Sequence, residues 1–401
     1  MDSTIRDFDI NGIDQSFIEN PFPTLKALRE QAPVHRNPDG SFYLTRYDDV
    51  LKTYQSRAML SDKKVEFGKK FGQCPLFVHH TTSLIFNDPP YHTVVRKLLA
   101  AAFTPRKLAE MEPLIETIVN RLMDRAEDLQ EFDFIQDFST ALPTEIISFM
   151  LGIPEQHRAK LRGFSIAILG ALDPVVSAER LAIGNAAVTE FSALLDDLIN
   201  HRRANPDSAG QGEVLDSLIF GDVDGRRLNQ DELIQNCIFL LNAGHETTTS
   251  FVGNAVGMLL EYPDQHQLLK RDPNLITSTV EEVLRFQSPL QIGNRLTSEP
   301  IKLSSATLPA GTYVHTSIAG ANRDPEVFDK PETVDITRKP NRHLAFITGI
   351  HVCLGATLAR IEGKIALGGL VKRFPNIQSS GPATIMPLAR FRGYNTLPVR
   401  V

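Results

Sequence analysis

The chain has 401 residues, of which 42% are hydrophobic and 22% charged, with a formal net charge of −6. That is an ordinary balance for a soluble globular protein, large enough to enclose a sizeable core, and its acidic sign gives no reason to expect a nucleic-acid partner. Cys74, Cys237 and Cys353 are too few and too scattered for a disulfide framework or a metal knuckle, and they suit a reducing cytoplasm. No apolar run is long enough to span a bilayer, and Met1 to Phe8 lacks a signal-peptide core. Length alone allows two or three domains, but no repeat or flexible linker interrupts the chain, so residues 1–401 are expected to form a single domain around one ligand.

Pro21, Phe22 and Pro23 predict a turn into a short helix. Residues 41–46 alternate as a strand behind the turn at Pro38, Asp39 and Gly40, and residues 48–54 read as helical. Residues 61–86 are aperiodic, partly polar and glycine-containing, and read as a variable, partly mobile connection. Asn87, Asp88, Pro89 and Pro90 then break the chain, and a helix opens at Tyr91. His92 and Arg96 share one face of it, as either a surface charge cluster or a clamp for paired carboxylates. Helical apolar spacing continues through residues 107–129 and 141–151, a helix starts near Glu155, and a long one covers residues 178–203. The polar segment 204–212 is the best loop candidate.

Residues 229–260 are expected to form a helix of about 30 residues through the core. Asn229 with Glu232 resembles a capping box at its start. Within the helix lie Ala243, Gly244, His245, Glu246, Thr247 and Thr248. A glutamate is costly to bury unless something solvates or pairs with it. Gly244 weakens the helix, and threonine hydroxyls bond carbonyls of the preceding turn, so the segment can open a groove beside a ligand. A solvent-facing polar stripe is the alternative for His245, Thr248 and Thr249. Further on, Glu282 and Arg285 can pair on one helix face before Ser288 and Pro289. Residues 290–318 alternate around a turn at Pro309, Ala310 and Gly311, which predicts short strands and hairpins, and further strand-like pieces lie near Thr384 and Thr396.

Residues 346–355 hold Cys353 between two glycines, directly before a strongly helical run. A thiol at the mouth of a helix faces unpaired N–H groups and the positive end of the dipole, which favours the metal-binding thiolate. Gly349 and Gly355 suit a tight turn or the close approach of a flat ligand, and Phe346 can shield the sulfur. A buried structural cysteine is the alternative.

Phe346, Gly349, His351, Cys353 and Gly355 fill every fixed position of Phe-x-x-Gly-x-His-x-Cys-x-Gly. The stretch resembles the cysteine-ligand loop of the cytochrome P-450 family, the haem-thiolate monooxygenases. Many members carry a second glycine after the phenylalanine, where this chain has Ile347. Residues 88–105 resemble the family's C-helix, Ala243 to Thr248 its oxygen-activation motif, and Glu282 with Arg285 its fold-holding pair. The family's additional arginine in that pair's network falls at Thr333 on the same reading.

The resemblance implies a mainly α fold with a smaller β-rich part and a long central helix over a buried haem b. Cys353 would be the iron ligand, and His92, Arg96, Arg295 and His351 would bind the propionates. Glu246 and Thr247 would deliver protons to dioxygen. Phe239, Asn242, Ala243, Leu290, Gln291 and Ile292 would line the pocket of a small organic substrate, which receives one atom of O2 while the other leaves as water. The chain carries no flavin or iron–sulfur segment and no Gly-x-Gly-x-x-Gly fingerprint. Electrons, ultimately from NAD(P)H, would therefore come through a separate ferredoxin-type donor docking on basic residues: Lys97, Arg106, Lys107, Arg360 and Lys364. Among the alternatives, the acid–threonine pair argues against a haem-thiolate peroxygenase and against a non-catalytic haem sensor. A zinc site would need further closely spaced ligands.

Overall fold

The computed structural model describes Ile5, residues 7–206 and residues 212–401. Helix accounts for 58% and strand for 10%, in agreement with the mainly α reading. Most of the loop expected at 204–212 lies outside the described residues. The chain separates into two compact units, one comprising Met1–Leu60, Glu116–Ser139 and Thr248–Val401, the other Ser61–Ile115 and Thr140–Thr247.

The first unit contains the main sheet. Its strands lie in the order Val34–Arg36, Phe42–Leu44, Tyr313–Ser317, Ile292–Thr297 and Met59–Leu60. Phe42–Leu44 runs parallel to Tyr313–Ser317 with Tyr43 opposite His315, and the other pairings are antiparallel. Phe8, Phe17, Leu25, Leu28, Tyr43 and Ile292 belong to one apolar cluster, in which the Phe8 ring stacks on Tyr43 at 5.5 Å. Tyr47, Val50, Tyr54, Val314, Ile318 and Leu344 belong to another, which Ile347 packs against. This second cluster fixes the helix Tyr47–Gln55 close to the turn Gly349–His351 just ahead of Cys353.

Glu282 and Arg285 lie on the helix Ile276–Phe286 and are almost fully buried. Arg285 donates Nε–H to Oε2 of Glu282 at 2.8 Å and Nη2–H to Oε1 at 2.7 Å. Its Nη1 donates to the carbonyls of Asn322 and Pro331, which ties down the irregular segment leading to the cysteine. The sequence reading placed Thr333 where relatives carry a further arginine. The structure corrects this: Arg338 supplies the guanidinium, with Nε 3.3 and 3.2 Å from the two oxygens of Glu282. Thr333 contributes only its carbonyl, accepting from Arg285 and Arg338.

In the second unit, residues 61–86 are better ordered than their aperiodic sequence implied, forming the helices Lys64–Phe71 and Pro75–Thr82 and the turn Leu84–Phe86. The reasons are local. The Asp62 carboxylate accepts the Lys64 amide at 2.9 Å, and Pro75 opens its helix. Asp88 accepts the amides of Ser61 and Asp62, and the rings of Phe67, Phe71, His80 and Phe86 pack together. The helices Tyr91–Ala100, Ala141–Leu151, Glu155–Gly170 and Ala178–Ala204 form where apolar spacing predicts them.

The long helix runs Gln230–Glu261, and the division between the units falls within it, after Thr247. Its capping box is reciprocal: Glu232 N–H donates to Asn229 Oδ1 at 2.9 Å, and Asn229 N–H donates to Glu232 Oε2 at 3.0 Å.

Candidate active site

Cys353 is exposed and stands two residues before Gly355, the N-cap of the helix Ala356–Arg373. Its amide donates to the Phe346 carbonyl at 3.0 Å, which closes the loop on itself. Gly349 has φ +76°, and a Cβ there would overlap the Tyr54 carbonyl oxygen, so this position needs glycine on two grounds. Ile347 has φ +50°, the left-handed region that β-branched side chains avoid. A second glycine at this position in relatives meets the same backbone requirement without strain. Here the Ile347 amide donates to the Leu344 carbonyl at 2.8 Å, and the side chain packs on the core, which together hold the turn.

A charged cluster that the sequence reading missed supports this loop. Arg360 donates Nε–H and Nη2–H to Glu281 at 2.6 and 2.8 Å and lies over the Phe346 ring, 4.6 Å from its centroid. His343 Nδ1 accepts the Ala345 amide, so its Nε2–H donates to Glu281 Oε2 at 3.0 Å. Burial pushes the Glu281 carboxyl up, but the hydrogen bonds from Arg360 and His343 outweigh it and bring it down to about 2. Arg360 is raised above its ordinary value chiefly by its hydrogen bond to Glu281, with a smaller electrostatic contribution from Cys353. The charge assigned to partner docking at Arg360 is therefore largely matched inside the fold.

Glu362 is a second group the sequence reading passed over. It sits on Ala356–Arg373 and is 3% exposed. Burial pushes its carboxyl up to about 8 against an opposing hydrogen bond with Thr248, so it is a neutral acid near pH 7. A glutamate among the apolar positions of residues 356–370 was the signal available.

On the long helix, Phe239, Ala243, Gly244 and Thr247 keep accessibility while the residues around them are buried. Their spacing makes one open strip. Thr247 Oγ1 donates to the Ala243 carbonyl at 2.5 Å, drawing the hydroxyl along that strip. Asn242, His245 and Glu246 are buried at 2%, 0% and 1% exposure. Neither Asn242 amide atom and neither Glu246 oxygen has a hydrogen-bond partner among the described residues. His245, which the sequence allowed as part of a solvent-facing stripe, is fully buried.

The remaining candidates divide by surroundings. His92 is buried and Arg96 half-buried on the helix Tyr91–Ala100. His351 is buried beside Cys353, and Arg295 is buried with its guanidinium over the Tyr54 ring at 4.8 Å. Leu290 is half-buried. Gln291 turns its amide to the Ser288 carbonyl at 2.5 Å, and Ile292 packs inside the cluster around Phe8 and Tyr43.

These surroundings fit a haem. The one exposed thiol stands at a helix mouth, a Cβ on the neighbouring Gly355 would meet nothing within 4 Å, and within the same unit Arg295 and His351 are buried side chains of the chemistry that binds acidic groups. Among the described residues no group of three or more His, Cys, Asp or Glu could hold a bare metal ion. No described helix is long and apolar enough to cross a membrane.

The sequence profile described as Cytochrome P450 matches residues 41–388. The vitamin D(3) 25-hydroxylase of Pseudonocardia autotrophica is 37% identical over 90% of this chain and 88% of its own length. The biotin biosynthesis cytochrome P450 of Bacillus subtilis is 33% identical over 96% of each chain. A solved structure of a P450 in complex with hexadec-9Z-enoic acid ligated acyl carrier protein superposes with a TM-score of 0.91 at 31% identity, covering 97% of this chain and all of that one. The chain belongs to the cytochrome P450 family and is a haem-dependent monooxygenase of the bacterial type.

Proposed function

We propose that this P450 works as one haem domain and oxygenates an apolar, elongated organic molecule, with electrons passing from NAD(P)H through a separate ferredoxin-type protein. The observation that carries the proposal is the open strip of Phe239, Ala243 and Thr247 beside the buried Glu246. An apolar wall with few polar groups suits a hydrophobic substrate. The name of the vitamin D(3) 25-hydroxylase and the acyl ligand of the structural neighbour point the same way. On the family resemblance Leu290 would add apolar lining, and Asn242 offers a buried polar anchor.

Cys353 would hold the haem iron, and His92, Arg96, Arg295 and His351 would hold its propionates. Bound haem supplies the oxygen-activating chemistry, to which a thiolate ligand contributes electron density that favours O–O cleavage. Phe346, fixed by Arg360, shields the sulfur from water. Thr247 presents a hydroxyl on the open strip and orients a proton donor there. Glu246 relays protons from its buried position.

Four measurements test this. The ferrous–carbon monoxide spectrum is expected to show the strongly red-shifted band of a thiolate ligand and to lose it in Cys353→Ser. Thr247→Ala is expected to keep substrate binding and cofactor consumption while peroxide replaces product, whereas Glu246→Gln slows turnover itself. Unchanged coupling in the first variant with normal turnover in the second removes the pair from the mechanism. Reduction by the ferredoxin is expected to slow with salt and with charge reversal at Lys364, because steering between opposite charges is screened. Spectral shifts with secosteroids and long-chain fatty acids, and none with small aromatic acids, are the expected substrate result.

A further inference from the structure

The histidine preceding the acid has a protonation pattern that its neighbours fix. His245 Nε2 lies 2.9 Å from Thr144 Oγ1. The Thr144 hydroxyl proton is already committed, since Oγ1 donates to the Thr140 carbonyl at 2.6 Å. Toward His245 that oxygen can only accept, so Nε2 carries a proton. Nδ1, the other ring nitrogen, points to Glu246, 3.7 Å from Oε2. Nδ1 and both oxygens of Glu246 have no other hydrogen-bond partner among the described residues. The two side chains are 0% and 1% exposed.

A bare imidazole nitrogen facing a bare carboxylate in an apolar interior sets lone pair against lone pair, and each group then lacks solvation. One proton between them removes both penalties, as carboxyl O–H with imidazole nitrogen or as carboxylate with imidazolium.

We propose that His245 and Glu246 share a single proton, making His245 a positioning residue that keeps Glu246 charged with the proton it delivers. The inference rests on the reading of Glu246 as a proton relay. It also sets the direction of recharging. Thr144 ends the chain of hydrogen bonds at a backbone carbonyl, so the pair cannot be refilled through Nε2. When the shared proton leaves from Oε2, the imidazole is left in its neutral Nε2–H form beside the carboxylate. The pair then regains its proton on the Glu246 side. The other ionisable group on the helix packed against His245 is the half-buried Glu145, next to Thr144. On the long helix the nearest other one is Cys237, whose thiol burial pushes up to about 12 and so keeps neutral.

The test uses the haem-loaded protein. In the ferrous–carbon monoxide form with isotope-labelled histidine, the ring nitrogens of His245, assigned by their loss in His245→Gln, are expected to show Nε2 protonated and Nδ1 in a shared-proton position. Glu246→Gln is expected to shift the Nδ1 resonance. The opposite tautomer, or an Nδ1 resonance indifferent to Glu246→Gln, overturns the proposal. His245→Gln can keep a donor toward Thr144 but removes the ring nitrogen that faces Glu246. It is expected to slow product formation about tenfold and to flatten its pH profile, with the carbon monoxide band and substrate-induced shift intact. Normal rate and profile in His245→Gln, with Glu246→Gln slow, defeats the shared proton and leaves the relay standing. Normal turnover in Glu246→Gln defeats the relay reading itself.

Discussion

Glu362 offers a direct energetic test of the buried architecture. Its carboxyl moves from an ordinary 4.5 up to about 8 because burial strips water from the charged form faster than Thr248 replaces it. Below pH 4.5 the folded and unfolded chains both hold the proton. Between 4.5 and about 8 the unfolded chain releases it while the folded chain keeps it, so stability falls as pH rises, and above about 8 the loss is complete. At about 1.4 kcal/mol per tenfold change in proton affinity, the full loss from this group is about 5 kcal/mol. Glu362→Gln keeps the shape and one oxygen for Thr248 but cannot ionise. The assay is urea denaturation of the haem-loaded wild type and variant across that pH interval. The gap between the two curves is expected to move steadily in favour of the variant as pH rises, by about 5 kcal/mol in all. Parallel curves refute the reasoning, because they mean that Glu362 ionises in the folded protein as easily as in the unfolded one.

The other predictions concern the segment that carries the cysteine. Gly349→Ala introduces a Cβ against the Tyr54 carbonyl at a positive φ and is expected to cost about 3 kcal/mol or more, read as a lower thermal midpoint and reduced haem content. Ile347→Gly exchanges relief of about 1–2 kcal/mol of left-handed strain for a similar loss of packing, so it is expected to leave the urea midpoint nearly unchanged. Ile347→Val keeps the strain, loses a methyl group's contacts, and is expected to cost about 1 kcal/mol in the same assay. Arg338→Met removes a guanidinium from the buried Glu282 and is expected to cost about 3 kcal/mol in urea denaturation, whereas Thr333→Ala, which keeps the carbonyl, stays near zero.

What the sequence revealed, and what it hid, divides by how far apart the interacting residues are. The reciprocal cap of Asn229 and Glu232 spans three residues and was readable as a pattern, as was the helix Ala141–Leu151 from its apolar spacing. The five matched positions of the cysteine loop carried the family and pointed to Cys353 as the proposed iron ligand. Residues 61–86 were misjudged because their helices depend on aspartate–amide hydrogen bonds and clustered rings rather than on periodicity. His343 and Arg360 meet Glu281 across 62 and 79 positions, a separation at which no local pattern operates. Arg338 was hidden for a related reason. Its segment is irregular, and much of its hold on the fold is to backbone carbonyls, which any residue type offers.

The long helix concentrates a cost that the rest of the fold must offset. Within two turns it buries Asn242, His245, Glu246 and Thr249, each with at least one side-chain atom lacking a partner among the described residues. Folding alone gains nothing from this, since apolar residues of similar size would pack there without the desolvation penalty. The same helix satisfies its polar groups elsewhere: Asn236 reaches the Tyr91 hydroxyl and the Leu84 amide, and Asn254 reaches the carbonyls of Gln287 and Arg392. Unmet polar capacity is thus confined to the turns beside the open strip of Ala243 and Thr247. A structural role accounts for Asn236 and Asn254, whose removal leaves named backbone groups unbonded. It does not account for Glu246, whose oxygens have no hydrogen-bond partner among the described residues and face only the His245 ring at 3.7 Å. Removing the Glu246 carboxylate should therefore affect turnover far more than stability.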